Sequence, residues 1–161
     1  ITGYIVGTDF EQGGITKNGS KMINAVSNST VPHLTVIVGA SYGAGNYGMS
    51  GRAFGTRFNF IWPTAKIAVM GPKQMAGVMT IVQRAAAQRR GEQFDEEGNA
   101  KRVASVEHWA EERSKGLFAT SRVSDDGMID PRETRTVLGI ALSACHSNVV
   151  AGTKEFGTWR M

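Results

Sequence analysis

Residues 39–51 read GASYGAGNYGMSG, a glycine-dense run that directly follows the apolar stretch Leu34-Thr35-Val36-Ile37-Val38. An apolar run of that length, bounded by turn signals, has the composition of a fully buried strand, and residues 44–49 can open a helix. The glycines are therefore expected to form a strand-to-helix turn. Such a turn leaves the backbone bare and points unpaired amides, at the positive end of a helix dipole, toward whatever binds there.

Working outward on the C-terminal side, residues 58–62 and 66–70 read as two short strands separated at Pro63. Gly71-Pro72 then turns into a helix over residues 73–90, with Met75, Val78, Met79, Val82 and Ala86 on its apolar face and basic residues in its last turn. On the N-terminal side, residues 3–7 read as a strand, residues 9–14 as a turn, and residues 15–29 as a helix carrying Ile15, Met22, Ile23 and Val26 on one face. Residues 91–101, GEQFDEEGNAK, break the pattern and are expected to be an exposed charged loop. A helix over residues 104–118 carries Val106, Trp109, Ala110 and Leu117. The last helix has the clearest start signal, with Asp130 as N-cap, Pro131 at the first helical position and Glu133 three residues after the cap, and is expected to run to about residue 150. Strands alternating with helices make the class α/β, and the absence of a repeat or a low-complexity linker makes residues 1–161 a single domain.

A chain of 161 residues can bury a sizeable core, and 41% hydrophobic with 20% charged residues is ordinary for a soluble protein. No apolar run approaches the ~20 residues of a membrane span, so no membrane partner is expected. The sequence begins at Ile1 and enters its first element without a charged leader, which is read as a fragment or a processed chain. The single cysteine, Cys145, excludes an internal disulfide and reads as a buried, inert thiol in a reducing compartment. His33, His108 and His146 stand far apart with no ligand partner at metal-binding spacing, so no metal site is expected. The net charge of +4 is unevenly spread: residues 12–91 hold no acid, yet carry Lys17, Lys21, Arg52, Arg57, Lys66, Lys73, Arg84, Arg89 and Arg90. That half should attract anions or an acidic partner. Nucleic acid is not expected, because the bases are not interleaved with aromatics and no zinc-finger or RNP pattern occurs.

The glycine run fits several patterns. Gly43, Gly45 and Gly48 match G-x-G-x-x-G, the dinucleotide fingerprint, after a strand as that motif requires. The ribose-binding acid expected about 20 residues later is missing, which argues against NAD and leaves open an NADP variant using Arg52, Arg57 or Lys66. Shifted by four, Gly39-Ala40-Ser41-Tyr42-Gly43 matches the G-x-S-x-G nucleophile elbow, with Asp125, Asp126 or Asp130 and then His146 in the chain order of α/β-hydrolases. A third reading uses the backbone: N–H groups of Ala44 and Gly45 at a helix head would form an oxyanion hole. A glycine turn needed only for close packing is the fourth.

Longer motifs separate these readings. SYGAGNYGM at residues 41–49, FIWPTAKIAVMGPKQ at residues 60–74 and DDGMIDPRETRTVLG at residues 125–139 resemble, in order, the carboxyltransferase (β) subunit of biotin-dependent acyl-CoA carboxylases. GYIVGTDFEQGGITKNGSKM at residues 3–22 is similar too, so the likeness spans nearly the whole chain. Within the family, SYGAGNYGM and the FGTWRM ending at residues 156–161 most resemble the methylcrotonyl-CoA type, with the geranyl-CoA type close to it. The resemblance implies a crotonase-like (ClpP/crotonase) ββα superhelix of which this is the C-terminal half. It implies carboxyl transfer from carboxybiotin, carried on an α subunit, to an unsaturated acyl-CoA, with ATP and Mg used only by the partner biotin carboxylase. It further implies Ala44 and Gly45 as oxyanion donors, with Ser41, Tyr42, Gly43, Asn46, Gly71 and Pro72 shaping the biotin pocket. The implied partners are the N-terminal half of the subunit and further β subunits, in a bacterial cytoplasm or a mitochondrial matrix.

Overall fold

A computed structural model describes residues 3–152. Two N-terminal helices, α1 (Thr8–Gln12) and α2 (Ile15–Asn28), precede β1 (Leu34–Ile37), β2 (Ala40–Tyr42) and α3 (Ala44–Gly48). A second strand–strand–helix unit follows as β3 (Phe58–Ile61), β4 (Lys66–Ala68) and α4 (Pro72–Arg90). The chain continues through α5 (Glu96–Ser114), α6 (Gly116–Ser121), β5 (Gly127–Met128) and α7 (Thr134–His146). The first strand of each unit joins a parallel sheet in the order β1-β3-β5, and the second strands pair in a separate parallel sheet, β2-β4. Parallel partners cannot be joined by a tight hairpin. The glycine run and α3 thus serve as the crossover that brings Leu34 opposite Phe58 and Ser41 opposite Ile67.

β3 is the strand on which the core turns. Its residues alternate between faces, as the strand period requires. On one side Phe60 meets Ile129 and Ala141, with Leu34, Val36 and Val137 packed around them. On the other, Ile61 meets Ile37, Ala65 and Ala119. The indole N–H of Trp62 donates to Thr134 Oγ1 over 3.0 Å, fixing the start of α7 to the end of β3. Among the described residues, no helix is long and apolar enough to cross a membrane.

Several boundaries depart from expectation. Residues 3–7 form no strand: Gly3 and Gly7 take φ of 89° and 132°, outside the strand region, and the expected turn after them is largely α1. The start of the glycine run contributes a strand, β2, within what reads as a loop. Residues 96–101 are helical, because Asp95 accepts from the Gly98 N–H and starts α5 there. Asp130 does cap a turn, accepting from the Arg132 N–H, but the turn is a 3-10 segment (Pro131–Glu133) and α7 follows it, ending at His146 instead of residue 150. Cys145 is half-buried on α7. The FGTWRM motif lies outside the described residues.

Candidate active site

β2 ends at Tyr42, and the chain turns at Gly43, whose φ of 65° and ψ of −155° no side chain-bearing residue adopts without strain. A Cβ at Gly43 would also press on the Val69 carbonyl oxygen at 3.2 Å, while its N–H donates to the Ala68 carbonyl over 3.1 Å. The turn is thereby held against the end of β4, and α3 begins at its rim. Ala44 is exposed and Gly45 buried. The Asn46 N–H returns to the Gly43 carbonyl, whereas the N–H groups of Ala44 and Gly45 donate to no acceptor among the described residues.

Beneath the turn, Ser41 is 3% exposed, and its Oγ accepts from Asn46 Nδ2 over 2.7 Å. Ser41 and Asn46 are therefore a brace between β2 and α3. Gly71, the N-cap of α4, and Pro72 after it stand beside Tyr42: a Cβ on Gly71 would lie 3.7 Å from the Tyr42 ring. Gly43, Ala44 and Asn46 line one wall of a cleft of about 370 Å³. Its other wall is Arg113, Phe118 and Arg122, from the end of α5 and from α6. Sequence reasoning singled out none of these three, since they straddle the helix break at Lys115 and follow no single period.

The cations of the acid-free half are partly spent inside the molecule. Arg52 pairs with Asp126 at 2.7 Å and Arg84 with Glu96 at 2.9 Å. Lys66 binds Glu111, and this hydrogen bond holds the ammonium pKa above its ordinary value. Partial burial raises the Asp126 carboxyl, but the Arg52 guanidinium and the Asn59 N–H outweigh it and leave that group below the ordinary carboxylate value. Two of the three alternative side chains for an NADP reading, Arg52 and Lys66, are thus already engaged.

The hydrolase reading finds no support. Ser41 is buried and bound to Asn46, Asp125 accepts from Thr120 Oγ1, Asp130 is held by Arg132, and His146 sits exposed at the end of α7. No hydrogen bond of a Ser–His–acid triad exists among the described residues.

Comparison with known proteins agrees with the resemblance carried by the longer motifs. The model of the carboxyl transferase domain matches residues 1–158. A probable biotin-dependent acyl-coenzyme A carboxylase beta2 subunit of Mycobacterium tuberculosis is 57% identical over 99% of this chain and 30% of its own length. The probable mitochondrial methylcrotonoyl-CoA carboxylase beta chain of Drosophila melanogaster is 47% identical over 100% of this chain and 28% of its own length. The crystal structure of the P. aeruginosa geranyl-CoA carboxylase beta subunit superposes with a TM-score of 0.82 at 40% identity, over 99% of this chain and 30% of that one. The fold is thus the crotonase-like carboxyltransferase fold, and the chain spans about 30% of the length of such relatives.

Proposed function

The chain belongs to the carboxyl transferase domain family of biotin-dependent acyl-CoA carboxylases, and on that premise we propose that its cleft is the biotin-facing half of a site that carboxylates an unsaturated acyl-CoA, 3-methylcrotonyl-CoA foremost. The observation that carries this reading is the pair of N–H groups at the head of α3 that donate to no acceptor among the described residues, that of Ala44, which lines the cleft, and that of its buried neighbour Gly45. Two adjacent neutral donors suit an oxygen that gains negative charge during reaction, such as a ureido oxygen. They fit the group they would hold.

When bound, carboxybiotin would supply the carboxyl group for the acyl γ-carbon and take up the proton that carbon loses, and the N–H groups of Ala44 and Gly45 would hold its ureido oxygen. The chain's own part is positioning and charge stabilisation. Gly43 sets the direction of the amides and the Ser41–Asn46 brace holds the turn on β2, while Tyr42, with Gly71 beside its ring, and Pro72 lie outside the cleft's lining and support the turn from the side of α4. The remaining acyl-CoA contacts come from the rest of the subunit. The biotin-carrying partner and its carboxylase, with ATP and Mg, complete the cycle, in the cytoplasm of a bacterium or the matrix of a mitochondrion.

Ala44→Pro in the full-length subunit, assembled with its biotin-carrying partner, tests the reading. Ala44 is the first residue of α3 and its N–H has no internal acceptor, so proline removes one donor at a position where it is tolerated. Turnover is expected to fall roughly 100- to 1000-fold, the usual loss for one oxyanion donor, with the melting curve unchanged. A folded variant at full activity would refute the assignment.

A further inference from the structure

The cleft wall facing Ala44 carries two guanidiniums gathered on one aromatic ring. The Arg122 Cζ lies 5.0 Å from the Phe118 centroid, and the Arg113 Cζ lies 5.8 Å from the same ring and 4.4 Å from that of Trp109. Stacking on a ring fixes the guanidinium plane while leaving its N–H edge free to donate. Neither cation has a carboxylate partner among the described residues, and no acidic residue lines the cleft. Four other arginines of the chain are neutralised in place, Arg52 by Asp126, Arg84 by Glu96, Arg90 by Glu92 and Arg132 by Asp130.

Two like charges held beside one ring repel each other, and no carboxylate among the described lining of the cleft offsets that repulsion. An arriving anion would. A planar fork suits a planar carboxylate, which it grips through two parallel bonds with defined orientation. We infer that Arg113 and Arg122 form a carboxylate subsite across the cleft from Ala44, and that its ligand is the carboxyl group being transferred. The inference rests on the carboxyltransferase reading of the cleft and adds positioning residues to it. No bond is made or broken at the arginines. They hold the carboxyl group while it is anionic, and the amides at Ala44 and Gly45 take the charge when it moves to the ureido oxygen.

The choice of carboxylate over a coenzyme A phosphate follows from position, since the arginines share one small cleft with the residue assigned to the reacting oxygen. The two sources are separable by experiment. In the full-length subunit assembled with its partner, binding of 3-methylcrotonyl-CoA and of its γ-carboxylated derivative is measured by calorimetry for the wild type, Arg113→Gln, Arg122→Gln, the double variant and Arg122→Lys. The two acyl-CoA ligands differ only in the carboxylate. The double variant should bind the carboxylated ligand roughly 10- to 100-fold more weakly and the uncarboxylated one within about twofold of wild type, as expected for loss of charge-assisted bonds. Arg122→Lys should recover part of the loss.

Equal weakening of both ligands would assign the arginines to a phosphate and overturn the inference. Unchanged binding of both would overturn it too. Both side chains are exposed, so the single variants should fold; melting curves identify any that does not, and Arg122→Lys then serves as the readout. A wild-type assembly that carboxylates no acyl-CoA would overturn the carboxyltransferase reading itself. An active wild type with unaltered variants removes only the subsite.

Discussion

Gly51 has an ordinary backbone, with φ of −71°, yet no room for a side chain. A Cβ there would meet the Asn46 carbonyl oxygen at 2.8 Å and its side-chain oxygen more closely still. Gly51→Ala should therefore push Asn46 off Ser41, costing about 1–3 kcal/mol, as overpacking of a filled site does; an unchanged melting temperature of the full-length subunit would show that the loop gives way freely. Ser41→Ala, in contrast, removes only the acceptor of Asn46 Nδ2. It should retain most carboxyl transfer while losing about 1–3 kcal/mol for a buried donor left unpaired, and abolished turnover in a folded protein would restore a nucleophilic serine. The Asp126 carboxylate joins the exit of the glycine run, through Arg52, to the Asn59 N–H. Its folded pKa is depressed, so its contribution is complete above the unfolded value of about 3.9 and is lost as the pH falls through the lower folded value. Asp126→Asn should cost about 1 kcal/mol near neutrality, after screening of a partly exposed pair. The variant and wild-type melting curves should converge in acid, and an equal gap at all pH values would mean that the carboxylate is not the source. At this scale the sequence shows the glycines but not their reasons: Gly43 is required by its φ and Gly51 by Asn46, and Gly48 because a Cβ would meet Met22 at 3.0 Å. One string of letters thus holds three different constraints, which is why it matches several motifs at once.

Among the elements, the α4–α5 hairpin departs most from its sequence pattern. Residues 91–101 look like solvated loop because charge and Gly98 outweigh any apolar period. Yet Glu96 crosses to Arg84, Asp95 caps the helix, and Asn99, 8% exposed, accepts from Thr80 Oγ1 over 3.1 Å. The segment is exposed along its outer face and tied to α4 along its inner one. Replacing residues 93–100 by a Gly-Ser turn, harmless to an exposed loop, should here remove a cap, a buried bond and the first turns of a helix together. Asp95→Ala alone should cost about 1 kcal/mol as a lost N-cap, and Asn99→Ala about 1 kcal/mol as one lost bond between the helices, since the Thr80 hydroxyl keeps the Ala76 carbonyl as an acceptor. A melting temperature indifferent to all three would return the segment to the solvent. The strands were readable for the opposite reason: β1, β3 and β4 are short apolar runs with sharp turn signals, whereas β5 has two residues and is defined by its bonds to β3, the Asp126 N–H to Asn59 and the Ile129 N–H to Ile61. A strand defined by its neighbour leaves no local trace.

At the scale of the molecule, burial is unevenly distributed. The outward side of α4 exposes Val78, Met79, Ile81 and Val82 at 49%, 43%, 68% and 62%, and these fall within three turns of one helix, an apolar stripe that water would not leave uncovered in a finished assembly. In relatives of which this chain spans about 30%, most of the polypeptide lies outside the matched region and is available to cover such a face. The cleft is open on one side in the same sense: it lies between Ala44 and the two arginines, but among the described residues it encloses no space for an acyl chain. Two outcomes are expected of the isolated chain. It should show no carboxyl transfer from free biotin carboxylate to acyl-CoA, because reactants held on one side only gain little from proximity. It should also associate with itself at micromolar concentration through the α4 stripe, so that sedimentation velocity gives a mass above 17.3 kDa, and Ile81→Lys with Val82→Lys should return it to monomer while leaving the helix content by circular dichroism intact. These two positions are the most exposed of the stripe, so lysine there disturbs no core packing. A wild-type chain that sediments as a clean monomer across that range would mean the stripe is stable in water and is not a cut face.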